Sequence, residues 1–260
     1  MGSPLEVRID GTLITPDQVE GWERRRAKAV LTRLRKVLKV KDGSRDDPHD
    51  LRAQRAELLQ LKERLGRAGL RTALGGDMRM SAVVTKLIVR LSGAKRKQCV
   101  VEIRVADCNA RALSGHLDDL MGSDTAVNRK VNLSVCPDHY LLEPRGDVLE
   151  VIETTGGAPF PAQFFLRFND ETGLKTPRDS SFPYQSAGTA RLADGTVIGG
   201  VRHQFRDEGG GSLMRLMVEF PQLTLSSMIR EHQWHLACEF TSWVQEILRR
   251  RDASAASAST

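Results

Sequence analysis

The chain has 260 residues, 40% of them hydrophobic and 28% charged, which is enough apolar material for a buried core and excludes disorder of the whole chain. Its net charge of +6 is unevenly spread: residues 1–100 carry 23 Lys and Arg against 12 Asp and Glu, and the remainder carries 16 against 21. The longest apolar runs, Val83-Val84 and Leu87-Ile88-Val89, are broken by Lys86 and Arg90, so no segment approaches the roughly 20 apolar residues that cross a bilayer.

Charge rather than an apolar run follows Met1-Gly-Ser-Pro-Leu5, so no secretory signal, a cytoplasmic location and no membrane partner are expected. Thr15-Pro16-Asp17-Gln18 reads as a helix start, with Thr15 as N-cap, Pro16 at the first helical position and Gln18 completing a capping box. The helix continues to about Val40, with apolar Val19, Trp22, Ala27, Val30, Leu31, Leu34 and Leu38 at helical spacing. Lys41 to Pro48 supplies turn chemistry, and Leu51, Leu58, Leu61 and Leu65 mark a second helix ending near Gly66–Gly69. Met80 to Gly93 is ambiguous between strand and helix, because its β-branched residues are helically spaced.

Cys99 to Val105 reads as a strand and Asn109 to Met121 as a short helix. From Val131 to Pro221 the chain becomes Gly- and Pro-punctuated, with β runs at 131–135, 140–143, 148–154, 163–168, 189–192, 196–205 and 212–220 and an Asp194-Gly195 hairpin signature. Ser226 to Arg251 is a long helix with a wide apolar face. The pattern predicts an α+β protein of helix-grip (START-like) type: a curved antiparallel sheet crossed by a long C-terminal helix, with a basic helical region before it. The expected division is a basic helical hairpin over 1–78, the helix-grip domain over 79–252 and a disordered tail over 253–260.

The chemistry concentrates at a few places. His235 and Glu239 are four apart on the last helix and share a face, which makes a two-point ledge for a divalent metal; the alternative is an ordinary surface pair. Glu150-Val151-Ile152-Glu153 alternates faces along a strand, and Gly156-Gly157 permits a bulge or a close approach. Cys136-Pro137-Asp138-His139-Tyr140 opens the preceding strand, and His203 sits on a later one. The four cysteines, Cys99, Cys108, Cys136 and Cys238, include no C-x-x-C pair and read as free thiols.

The stretch His235-Leu-Ala-Cys-Glu239-Phe240, the strand end Glu153-Thr-Thr-Gly156-Gly157, and Arg202-His203 to Asp207 before Leu216–Phe220 resemble the 2,4-diacetylphloroglucinol hydrolase family over roughly residues 131–250. The resemblance implies a helix-grip fold and a zinc ion held by His235 and Glu239 from the helix, Glu153 from the sheet, and a further histidine. It also implies cleavage of the carbon–carbon bond joining an acyl group to a polyhydroxylated aromatic ring. At the fourth position this sequence departs from the family: its His-Pro segment aligns with Cys136-Pro137, and His139 lies three residues on. Zinc accepts either donor, and His139 suits a site of imidazole and carboxylates better.

His203 is then the candidate acid protonating the ring carbon, and Tyr140 and Tyr184 are candidates for hydrogen-bonding phenolic oxygens. The expected substrate is a small aromatic or polyketide-like molecule, and a homodimer is compatible with the chain. Two other readings stand beside the hydrolase: a helix-grip protein that binds a small molecule without chemistry, and a basic partner- or nucleic-acid-binding module built on Arg24-Arg25-Arg26, Arg33, Arg35, Lys36, Lys39 and Lys95-Arg96-Lys97.

Overall fold

A computed structural model describes residues 4–40 and 50–258. The expected turn at Lys41–Pro48 lies outside them, as do Met1–Ser3 and the last two residues of the expected tail.

The chain opens with two strands absent from the sequence reading, β1 (Leu5–Ile9) and β2 (Thr12–Ile14). Asp10 and Gly11, both at positive φ (49° and 76°), form the tight turn between them; Asp-Gly is the dipeptide such a hairpin requires. Helix α1 (Pro16–Leu38) starts on the expected capping box, with the Gln18 amide donating to Thr15 Oγ1 and the Thr15 amide to Gln18 Oε1.

Helix α2 (Leu51–Ser92) consists of two helical segments that meet at Gly66 (φ 60°, ψ 177°), where the second helix is expected to end. The segment beyond it, not anticipated from the sequence, runs on to Ser92 and absorbs the ambiguous stretch 80–93. The boundary expected near residue 78 therefore falls inside a helix, and residues 5–14 belong to the same sheet as the later strands. β3 (Arg96–Val105) and α3 (Ala110–Gly122) follow as expected.

Residues 131–135, expected as a strand, belong instead to α4 (Ala126–Ser134) and its cap. Val131 and Val135 suggest β structure, but Thr125 caps the helix through the Asn128 amide, and Asn132 Nδ2 bonds Leu120 O. The remaining elements are β4 (His139–Arg145), β5 (Val148–Glu153), a 3-10 turn (Thr155–Gly157), β6 (Ala162–Phe168), β7 (Tyr184–Arg191), β8 (Val197–Glu208), β9 (Gly211–Pro221) and α5 (Ser226–Ala258). Helix α5 continues through residues 253–258, where a disordered tail was expected: the alanines there favour continuation, and the Ser254 and Ser257 hydroxyls turn back onto carbonyls four residues earlier.

The nine strands among the described residues form one antiparallel sheet in the order β2-β1-β3-β9-β8-β7-β6-β5-β4. Helix α5 crosses one face, and its Leu236, Phe240, Trp243 and Val244 join Val101, Ile103, Phe205 and Met214 of the sheet in the main core. This is the expected helix-grip α+β architecture. A second core lies on the other face, where Ala27, Leu31 and Leu34 of α1 and Leu70 and Leu74 of α2 meet Tyr140, Leu141 and Ile152. The N-terminal helices are thus the outer layer of the same fold.

Part of the basic charge of this layer is paired within the chain. Arg26 binds Asp138, Arg35 binds Glu57, Arg55 binds Glu23, and Arg71 binds Glu150. Cations engaged in this way are not presented as an open stripe for a polyanion.

Candidate metal centre

Strand alternation and pairing build the first half of the site. His139 and Glu153 are direct cross-strand partners on β4 and β5, so their side chains share one face. Val151 and Glu153 face the cavity and Ile152 the second core, as the alternation predicts, while Glu150 on that outer face pairs with Arg71. Immediately beyond Glu153, Gly156 (φ 55°) lies so close to α5 that a Cβ there would overlap the Met228 carbonyl. The glycine therefore sets how near the strand end and the helix approach.

Helix α5 supplies the second half. His232, Leu236, Glu239, Phe240 and Trp243 line the cavity at helical spacing, and His235 reaches the same point from behind. His139 Nε2 lies 3.2 Å from His235 Nε2, 3.0 Å from Glu239 Oε2 and 3.9 Å from Glu153 Oε2. His235 Nε2 is 3.6 Å from Glu239 Oε2 and 3.8 Å from Glu153 Oε2. The four residues proposed as ligands from sequence thus converge, all buried.

The separation between the two imidazoles and their four separations from the carboxylates, 3.0–3.9 Å, are of the size a small divalent ion imposes on its ligands. Ligand atoms about 2.0–2.1 Å from a tetrahedral centre lie about 3.3 Å apart. The His139 tautomer is fixed for this purpose. Its Nδ1 donates to Asn132 O at 3.0 Å, since a carbonyl can only accept, which leaves the Nε2 lone pair toward the cluster. Asn132 is held in turn by Trp243, whose Nε1 donates to Asn132 Oδ1 at 3.0 Å. Thr155 Oγ1 donates to Glu153 Oε1, leaving Oε2 nearest the histidines.

Cys136, the alternative donor, groups with His139 and His235 within 4.8 Å, but on the other side of the His235 ring. Its Sγ is 3.8 Å from His235 Nδ1, whereas His139 and both glutamates face Nε2. Burial, reinforced by Cys238, pushes its thiol well above the ordinary range. Asp138, fully buried, also stands behind the ring, 4.0 Å from Nδ1, and is clamped by two 2.8 Å bonds from Arg26. Burial opposes a charged His235, but Cys136 and the two glutamates outweigh it and hold its pKa well above normal. In Glu239 the burial penalty is likewise overcome, chiefly by His235, and the carboxyl titrates below its usual range.

The cavity behind the cluster has a volume of about 190 Å3. Its wall is mostly apolar, with Leu142, Leu149, Phe164, Phe168 and Phe220 among its residues, and its polar members are His203, His232, Glu219, the hydroxyl residues Ser81, Thr85, Thr155 and Thr224, and His139, Glu153 and Glu239 of the cluster. Glu219 is occupied by the backbone amides of Lys175 and Thr176. His203 lines the cavity as expected, edge-on to Phe240, but burial pushes its pKa down to about 4. Free His203 is therefore neutral near pH 7 and does not carry the imidazolium proton expected of a resident acid.

His232, which the sequence reading noted only as a neighbour, is stacked on His235 and pushed down to about 3 by burial and then by His235. The Nδ1 atoms of His203 and His232 have no hydrogen-bond partner among the described residues. The three-residue step from His232 to His235 was the signal that could have found it.

Tyr140 is placed elsewhere. It sits in the second core and its hydroxyl accepts from Thr154 Oγ1, because it follows His139 on the strand and takes the opposite face. It does not line the cavity, and neither does Tyr184.

Beneath the turn carrying Cys136 and His139 lies Lys62, 1% exposed, whose Nζ donates to Leu133 O and Cys136 O. Burial lowers its pKa to about 8. The unfolded chain binds this proton up to about pH 10.4, so between these values the unfolded state holds more protons and stability rises with pH. The gain approaches 3 kcal/mol at about 1.4 kcal/mol per unit. Urea unfolding between pH 7.5 and 10 is expected to show a rising component absent from Lys62→Met.

No protein-family model matches the chain, and no curated protein matches it. Among solved structures it is similar to Ara h 8.0201, with TM-score 0.37 and 13% identity over 60% of this chain and 99% of that one. It is also similar to protein Ms6760 from Mycobacterium smegmatis, with TM-score 0.33 and 10% identity over 60% of this chain and 92% of that one.

Proposed function

We propose that the protein is a zinc-dependent hydrolase that cleaves the carbon–carbon bond between an acyl group and an aromatic or diketone-like small molecule, as its resemblance to the 2,4-diacetylphloroglucinol hydrolases implies. The observation that carries this reading is the convergence of His139, Glu153, His235 and Glu239 at the head of an apolar cavity also lined by an unpartnered histidine. Zinc held by these four residues would supply Lewis acidity toward a carbonyl and acidify bound water.

The protein's own groups define the rest. The phenylalanine-lined wall binds a flat apolar ring and excludes water. His203, neutral when the cavity is empty, gains proton affinity when an anionic phenolic oxygen is brought beside it. A substrate that enters as the neutral phenol passes its hydroxyl proton to His203, the phenolate so formed stabilising the imidazolium beside it, and that proton is the one later delivered to the ring carbon. His232 and His203 offer their free Nδ1 atoms to ring oxygens, the role expected earlier of the tyrosines.

Protein purified without an affinity tag is expected to contain about one zinc per chain by plasma mass spectrometry and to release a carboxylic acid from acylated polyhydroxybenzenes. Stoichiometric zinc without turnover of any acylphenol would favour the non-catalytic binding protein. Failure to take up any divalent metal would overturn the reading.

A further inference from the structure

At the end of β5 opposite Glu153, the cavity is lined by Met121 of α3, Leu149 of β5 and Phe168 of β6, and the same three residues line a second cavity. Their side chains are therefore the partition between two chambers. The second chamber has a volume of about 340 Å3, compared with about 190 Å3 for the first. It opens where the sheet is incomplete. Strand β6 pairs with β7 only over Phe165–Phe168, and Asn169, at φ 63°, ends the pairing. Gln185 and Ser186 of β7 are left without a β6 partner, and the turn of the β4–β5 hairpin and Asp118 of α3 complete the walls.

The partition is apolar and adaptable. Methionine is unbranched and repacks around what fills the space beside it, and Phe168 is only half-buried. A cavity of about 150 Å3 accommodates benzene, so the first chamber holds one aromatic ring and a short substituent. Anything longer continues past the partition. Beyond it the wall is mixed: Pro144, Val148 and Ala187 are apolar, Asp118 and Asp147 bring carboxylates, and no Lys, Arg or His lines the chamber. Asp147 lies 3.4 Å from Arg167, and Gln185 is engaged by Arg202 and Glu171. Asp118 has one hydrogen-bond partner among the described residues, the Ser186 hydroxyl, which donates to it. Partial burial raises its pKa, a penalty that a cation brought beside it relieves.

We infer that the two cavities form one passage, and that its ligand is an aromatic molecule whose flexible apolar side chain threads past Met121, Leu149 and Phe168 and ends in a cationic amine at Asp118. The inference rests on the proposed function for the ring in the first chamber, and it adds the side chain and its end group. The length follows from a partition with a chamber on each side. The charge follows from a wall that carries carboxylates and no cation, where a terminal carboxylate or phosphate meets like charge.

Calorimetric titration of the full chain with acetophenone, butyrophenone, octanophenone, and octanophenones ending in an amine or a carboxylate tests this. These ketones lack the ring hydroxyls on which the proposed cleavage depends, so they report the passage whether or not the hydrolase reading holds. Affinity is expected to keep rising beyond butyrophenone, by up to about fourfold for each methylene that leaves water, and the amine is expected to bind more tightly than the carboxylate. Met121→Trp, which fills the partition, is expected to abolish the gain beyond butyrophenone and leave acetophenone unchanged. Asp118→Asn, at an exposed position whose substitution leaves the core intact, is expected to weaken the amine about fivefold, the scale of an exposed ion pair, and to leave octanophenone unchanged. Wild-type affinity that levels off at butyrophenone would overturn the passage. A carboxylate bound as tightly as the amine, or an amine indifferent to Asp118→Asn, would overturn the cationic end. Failure of every ketone to bind would remove the aromatic ring from the first chamber and the inference with it.

Discussion

Glu239→Gln is expected to weaken zinc binding by more than about 100-fold, beyond the 10–100-fold typical of residues that only support a ligand. The carboxylate stands 3.0 Å from His139 Nε2 and 3.6 Å from His235 Nε2, and the amide keeps its shape while removing the charge that a cation needs. Competition with a chromophoric chelator measures this without reference to activity. Tyr140→Phe, altered on the opposite face of the sheet, is expected to leave zinc affinity unchanged. Cys136→Ser is expected to retain stoichiometric zinc, because the thiol faces His235 Nδ1 rather than Nε2. Full zinc in Glu239→Gln would remove Glu239 from the ligand set, and loss of zinc in Cys136→Ser would move the site to the thiol side of the ring.

The second large effect concerns the helix layer that the sequence reading set apart as a basic hairpin. Arg26→Ala leaves the Asp138 carboxylate, fully buried, without its two guanidinium bonds. Breaking a buried pair by removing one partner typically costs about 3–5 kcal/mol. Urea unfolding is expected to show a loss of that size, and the double variant Arg26→Ala/Asp138→Asn is expected to recover part of it, because the uncompensated charge is gone. A loss below about 1 kcal/mol in Arg26→Ala would mean that water reaches Asp138, and that α1 does not seal the back of the site.

Much of the site was readable along the chain because its signals are local. His235 and Glu239 declare a shared helix face by their spacing, Glu153 declares its side of a strand by alternation, and Gly156 marks the close approach beyond it. The capping box at Thr15, the hairpin signature at Asp194-Gly195 and the long apolar face of the last helix are equally local, and they led to the helix-grip architecture. The Asp10-Gly11 hairpin carries the same kind of local signal.

Other features depended on neighbours distant in sequence. Val131 is β-branched, yet its segment is helical because Asn132 bonds Leu120 O and takes the Trp243 indole. Tyr140 is an ordinary aromatic until His139 pairs with Glu153 and takes the cavity face, which leaves Tyr140, at the register shift between β4 and β5, in the second core. Ligand-type residues and their period are properties of the chain itself, since side-chain chemistry and backbone periodicity need no third dimension. Burial, the partner across a sheet, and the shift of His203 to about 4 arise only when remote segments exclude water together, and those were decided by the tertiary structure.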